Sequence, residues 1–117
     1  MQSELQITMD NTGPSPTIES RIRTCVERLE KRFPRLTACR VLVAEPNHHE
    51  LTRRLFKVRL NIQFPGGEVV VSRDNHEDVY VLLREVFLAA RRELEHAMHR
   101  GNGSVGLQAK QRAPQLI

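Results

Sequence analysis

LFKVRLNIQFPGGEVVVSRDNHEDVYVLLREVFLAARRELE, residues 55–95, is the stretch that decides the fold. Phe56, Val58, Leu60, Ile62 and Phe64 alternate with Lys57, Arg59, Asn61 and Gln63. That period of two marks a strand with one face buried and one face in water. Pro65, Gly66 and Gly67 then supply a turn, because proline fixes φ at one central position and glycine accepts a positive φ at the next. Residues 68–72 return as a short β-branched strand. Asp74 or Asn75 is expected to cap the helix that follows, with Glu77 and Asp78 in its first turn, where acids suit the positive end of the helix dipole. The helix buries Val79, Leu82, Leu83, Val86, Phe87, Ala90, Leu94 and Ala97, while Val81 and Leu88 point outward. A hairpin that feeds such a helix hides its apolar face only if the helix folds back over it.

The segments before this unit complete the layer. Leu5, Ile7 and Met9 alternate with polar residues and predict a first strand. Ser15 is a good N-cap, followed by Pro16 at the first helical position, where a missing N–H costs nothing. That helix runs to about Phe33, and Pro34 stops it. Ile18, Ile22, Cys25, Val26, Leu29 and Phe33 lie on its buried side. Residues 37–45 form a second strand with Cys39, Val41 and Val43 on one face. The β-α-β crossover makes the first two strands parallel and the connection right-handed. The expected architecture is α+β, in the order β-α-β-β-β-α: a four-stranded mixed sheet with two helices packed on one face. One domain over residues 1–100 and a flexible tail over 101–117 follow from the loss of periodicity after Gly101.

A chain of 117 residues, 39% hydrophobic and 27% charged, suits one soluble domain. No apolar run is long enough for a membrane span. The first ten residues carry no secretory signal pattern, so a cytoplasmic location is expected. Cys25 and Cys39 are expected as reduced core thiols. Lys plus Arg total 18 against 14 acids, and only Lys31, Lys57 and Lys110 are lysines. Arginine grips phosphate with two parallel hydrogen bonds and stacks on bases, so this composition leans toward nucleic acid.

The helix charges are organised. At about 100° per residue, Arg21, Arg28, Lys31 and Arg32 fall on one flank of the first helix. On the second, Arg84 and Arg91 stand together with Tyr80 nearby, and Arg92 and His99 lie on the back. A single basic flank is commonly just a solvated face; two adjacent flanks form a ridge suited to phosphate contacts with little base specificity.

The order of these pieces resembles the hibernation-promoting factor and ribosome-associated inhibitor family, once called sigma-54 modulation proteins. IESRIRTCVERLEKRF (18–33), FKVRLNIQFPGGE (56–68) and EDVYVLLREVFLAARREL (77–94) carry the resemblance, which covers about residues 3–98. It corresponds to the short form, without the long C-terminal extension that carries dimerisation. The resemblance implies a cytoplasmic factor that binds the 30S subunit and 70S ribosome and silences translation under stress and in stationary phase. Members of that family lodge near the decoding region, in the channel used by messenger and transfer RNA. Carried onto this chain, the 16S rRNA-binding positions are Arg21, Arg28, Lys31 and Arg32, then Tyr80, Arg84, Arg91 and Arg92. Glu85, Glu93 and Glu95 dilute the charge of the second helix relative to many members.

Other readings are weaker. His96 and His99 have ligand-like helical spacing, and His48 and His49 share a loop, but a metal site needs three or four convergent ligands and no HExxH or paired CxxC is present. No nucleophile has a legible partner, because both cysteines fall on buried faces. No enzyme activity, cofactor, metal, membrane partner or small-molecule substrate is therefore expected. The alternatives are a general double-stranded RNA-binding domain, built from similar parts, or a protein-interaction module acting through Val81, Leu88 and a sheet face expected to be uncharged.

Overall fold

A computed structural model of the chain describes residues 3–45 and 54–99. Six elements follow in order: β1 (Glu4–Asp10), α1 (Pro16–Arg32), β2 (Ala38–Ala44), β3 (Phe56–Phe64), β4 (Gly67–His76) and α2 (Val79–His99). This is the expected α+β order. The expected tail and the His48–His49 loop lie outside the described residues.

The ends of α1 are set by the residues that predicted them. The Ser15 hydroxyl accepts the Ile18 N–H at 3.2 Å, Pro16 opens the helix, and Phe33 closes it by donating its N–H to the Leu29 carbonyl at 2.8 Å. The hairpin turn is Pro65-Gly66, with Gly66 at a φ of 99° and Phe64 paired to Gly67. A side chain at Gly66 would be strained in that conformation.

The start of α2 departs from expectation. β4 does not end at Ser72 but continues to His76. The register steps from Lys57↔Asp74 to Phe56↔His76, leaving Asn75 as an extra residue in a β-bulge. Its φ of 61° is left-handed, a conformation asparagine tolerates better than most residues. Asn75 therefore bends the strand and caps nothing. The cap is Asp78, whose carboxylate accepts the Tyr80 N–H at 2.9 Å; its own N–H is donated to His76 Nδ1 at 2.9 Å. No acid lies in the first turn of α2, but the Asp78 charge still sits at the positive end of the dipole.

The strands lie in the order β1-β2-β3-β4, with β1 and β2 parallel and the other pairs antiparallel. Between the two inner strands, Cys39 pairs with Ile62, Val41 with Leu60 and Val43 with Val58. All six are at most 1% exposed. Both helices cover this face: Ile22, Val26 and Leu29 from α1, and Leu82, Leu83, Val86, Ala90 and Leu94 from α2, join the same core. Ala97, expected in the core, is half-buried. Of the two side chains expected to point outward, Leu88 is exposed and Val81 half-buried. Leu5, Ile7 and Met9 only partly close the β1 edge.

Each buried leucine or valine contributes roughly 1.5–3 kcal/mol, so the centre of β3 is where a change costs most. Leu60→Asp places an unpaired charge at a site with no exposure, a loss of about 3–5 kcal/mol. The variant should be unfolded by circular dichroism and urea titration; a soluble, cooperatively melting protein would contradict the strand register. Asp78→Ala removes only the α2 cap and should lower stability by about 1 kcal/mol with the fold retained, whereas Asn75→Ala should leave the start of α2 intact.

Candidate nucleic-acid interface

Sheet topology fixes the direction of both helices. β1 and β4 run the same way, because β2 is parallel to β1 and two antiparallel steps lead on to β4. Each helix returns against its neighbouring strand, so α1 and α2 lie side by side and parallel. Contacts at both ends agree: the Arg21 guanidinium lies over the Tyr80 ring at 5.1 Å, and Arg32 reaches Glu95 at 2.7 Å.

Between the helices runs a groove of about 510 Å³. Arg21, Arg28 and Arg32 border it from α1; Tyr80, Arg84 and Arg91 border it from α2. Its floor is apolar, with Leu29, Leu83 and Phe87, and Leu88 stands on its rim at 47% exposure. All five arginines are exposed. Arg28 and Arg84 have no ion-pair partner among the described residues. The groove thus presents paired guanidinium forks at two levels, a tyrosine at its N-terminal end and an acid-bridged pair at its C-terminal end. Guanidinium forks in this arrangement suit phosphates held at several points.

Six of the eight expected site residues come together here. Lys31 and Arg92 do not: both are exposed and stand apart from the groove. Helix geometry is the reason. Arg21, Arg28 and Arg32 lie within about 40° of one another around α1, whereas Lys31 is turned about 80° from Arg21 and about 100° from Arg32; Arg92 is likewise about 100° from Arg91.

Cys25 also differs from expectation. It is half-buried and borders the groove between Arg21 and Arg28. Burial pushes its pKa up, more than Arg28 and Arg21 pull it down, so the thiol stays protonated at neutral pH. Cys39 is fully buried, with its pKa pushed up to about 11 by burial. Both cysteines are free.

Ion pairs centred on two acids, Glu95 and Glu45, escaped the sequence reading. Glu95 takes the Arg32 guanidinium through two hydrogen bonds, at 2.7 and 3.1 Å, and Arg91 at 3.4 Å. The i, i+4 spacing of Arg91 and Glu95 was a visible signal for half of this bridge. Elsewhere Glu45, 1% exposed at the end of β2, receives Arg54 through both oxygens at 2.7 and 2.9 Å. Arg54 also lies over the Phe56 ring at 5.8 Å. No periodicity links Glu45 to Arg54, so nothing in the sequence pointed to this clamp. Among the described residues no group of three or more His, Cys, Asp or Glu converges as a metal site, and no helix is long and apolar enough to cross a membrane.

A mixed sheet with two parallel helices on one face and arginines lining the cleft between them defines a class of compact α+β domain with a polyanion-sized basic groove. Within that class, residues 5–102 match the sequence profile described as Sigma 54 modulation protein / S30EA ribosomal protein, and the chain belongs to this family of ribosome-associated modulation factors. Solved structures with the same fold include two that superpose over most of this chain. The N-terminal domain of Protein Y from Thermus thermophilus superposes with a TM-score of 0.65 at 15% identity, covering 82% of this chain and 98% of that one. A ribosomal subunit interface protein from Coxiella burnetii gives 0.59 at 13% identity, covering 86% and 99%. Among curated protein sequences none matches significantly.

Glu95 limits the positive charge of the groove. Hydrogen bonding to Arg32 holds its carboxyl below the ordinary glutamate value of 4.5. The pair's contribution is therefore complete above pH 4.5 and fades as pH falls through the lowered value. Glu95→Gln frees Arg32 and Arg91 and should strengthen binding to polyanionic RNA a few-fold at low salt, as read by filter binding, with little change in thermal midpoint at pH 7. Weaker RNA binding would mean that Glu95 orients the two arginines productively.

Proposed function

We propose that this protein is a ribosome hibernation factor that binds 16S rRNA of the small subunit near the decoding region and stops translation on the 30S subunit and 70S ribosome. The observation that carries this reading is the pairing of basic flanks: Arg21, Arg28 and Arg32 on α1 face Arg84 and Arg91 on α2 across one groove. Arginines on two rigid, parallel helices bind a folded RNA surface by charge and shape, giving register with little dependence on base identity. Family membership supports the ribosome as the partner. The Coxiella burnetii relative in fold is a ribosomal subunit interface protein, which agrees with a site on the ribosome.

Mechanistically, occupancy of the channel by a folded domain blocks messenger and transfer RNA sterically, so no bond is made or broken and no cofactor is called for. Tyr80 holds Arg21 over its ring at the N-terminal end of the groove, while Arg28 and Arg84 are ready for phosphate. Lys31 and Arg92, outside the groove, add to the surrounding positive field. The reading places the protein in the cytoplasm, in cells whose translation is held idle under stress or in stationary phase.

The test is charge reversal at the middle of the groove. Arg28→Glu with Arg91→Glu should abolish co-sedimentation with 30S and 70S particles while circular dichroism and thermal midpoint stay near wild type. Binding by the wild-type protein should weaken with salt by roughly 0.7–0.9 log units per log unit of salt for each phosphate contacted. Undiminished pelleting of the double variant would remove the groove from the ribosome contact. Equal affinity for an arbitrary RNA duplex and for 30S subunits would favour a general double-stranded RNA binder instead.

A further inference from the structure

The sheet has a second face, opposite the helices, and its chemistry is unexpectedly ordered. Cross-strand register places Gln6, Arg40, Asn61 and Val70 in one row, and Thr8, Leu42, Arg59 and Ser72 in the next. Lys57 stands one row beyond Arg59. Acids sit only toward the outer strands of this face: Glu4 and Asp10 on β1, Glu68 and Asp74 on β4. The two inner strands thus carry a basic strip, Arg40, Arg59 and Lys57, between acidic borders. A shallow depression of about 300 Å³ lies over it, bordered by Gln6, Thr8, Arg40, Leu42, Arg59 and Asn61.

Two observations separate this strip from an ordinary solvated face. Arg40 and Arg59 are exposed, and neither is ion-paired among the described residues, although four acids share the face. Asn61 Oδ1 is shielded from solvent and accepts no hydrogen bond. A shielded acceptor without a donor is a cost to the fold that an apolar residue on the same strand would avoid. A donor that arrives with a ligand accounts for it. Arg40 is the direct cross-strand neighbour of Asn61 and Arg59 lies two residues before it, so all three border the same depression.

We propose that the open sheet face is a second RNA-contact surface, on which Arg40 and Arg59 hold the phosphates of a single RNA strand and Asn61 accepts a hydrogen bond from a ribose hydroxyl or base amine. Arginine forks supply the phosphate chemistry, and the 2′-hydroxyl is a donor that RNA has and DNA lacks. A second copy of this chain fits less well, because stacking two such faces about a twofold axis brings the basic strips together. The inference rests on reading the chain as an RNA-associated factor and extends it: the domain is a wedge gripped on both sides, by the helix groove on one and by the sheet on the other.

The experiment compares two double variants, Arg40→Gln/Arg59→Gln and Arg28→Glu/Arg91→Glu, for binding to 70S ribosomes and to a protein-free 16S rRNA transcript across a salt series. Lacking both guanidinium groups, the sheet variant should lower the slope of log affinity against log salt by about 1.4–1.8, at 0.7–0.9 per phosphate no longer neutralised, on both targets. Asn61→Val should raise the thermal midpoint and weaken RNA binding by about fivefold, the equivalent of one ordinary hydrogen bond. A sheet variant with wild-type affinity and slope overturns the second surface while leaving the groove standing. Loss of binding on ribosomes alone points to a ribosomal protein on this face and also overturns it, as does sedimentation showing copies paired through Arg40 and Arg59. If neither double variant changes binding, the groove falls as well.

Discussion

Everything functional in this domain depends on one packing seam. Ile22, Val26 and Leu29 of α1 and Leu83, Val86 and Phe87 of α2 converge over the inner strands of the sheet. Burial of such side chains contributes roughly 1.5–3 kcal/mol each. Two unit charges roughly 8 Å apart in water repel by only about 0.5 kcal/mol. The seam therefore holds five arginines along one groove against their mutual repulsion. Without it, each helix would present an ordinary solvated basic flank. Glu95 relieves part of the strain where Arg32 and Arg91 approach the same point.

Much of this was legible from residue spacing. The alternation from Phe56 to Phe64 gave the register of β3, because a one-residue slip would expose Val58, Leu60 and Ile62 together. Ser15, Pro16 and Pro34 bounded α1 for local reasons that tertiary structure did not disturb. Arg21, Arg28 and Arg32 predicted a flank because seven and four residues each return nearly to the same side of a helix. Lys31 was read onto that flank too generously, since one residue is already about 100° of rotation. Arg92 was read onto the back of α2, and only the family resemblance carried it to the site.

What spacing could not show came from contacts across the chain or from backbone geometry. Asn75 looked like a cap because asparagine is common at caps, but it serves equally well in a left-handed bulge, and pairing with Phe56 and Lys57 decided between them. The Glu45–Arg54 clamp joins residues with no shared periodicity. The open sheet face, expected to be uncharged, carries Arg40, Lys57 and Arg59, because the polar half of each alternating strand turns to the side the helices leave open. Its basic centre and acidic borders emerge when four strands are laid in register, because the sign of each row depends on which strands lie inside and which lie at the edge.

The two faces give the fold a simple logic. Helix packing gathers one set of arginines, and strand alternation lays out the other on the side the helices leave open. The measurement that tests the central claim most directly is cryo-electron imaging of the wild-type protein bound to 70S ribosomes at low salt. The expected result is the α1–α2 groove seated on 16S rRNA phosphates near the decoding region, with Arg28 and Arg84 within hydrogen-bonding distance of phosphate oxygens. A bound domain whose groove faces solvent, or meets only ribosomal protein, would contradict it.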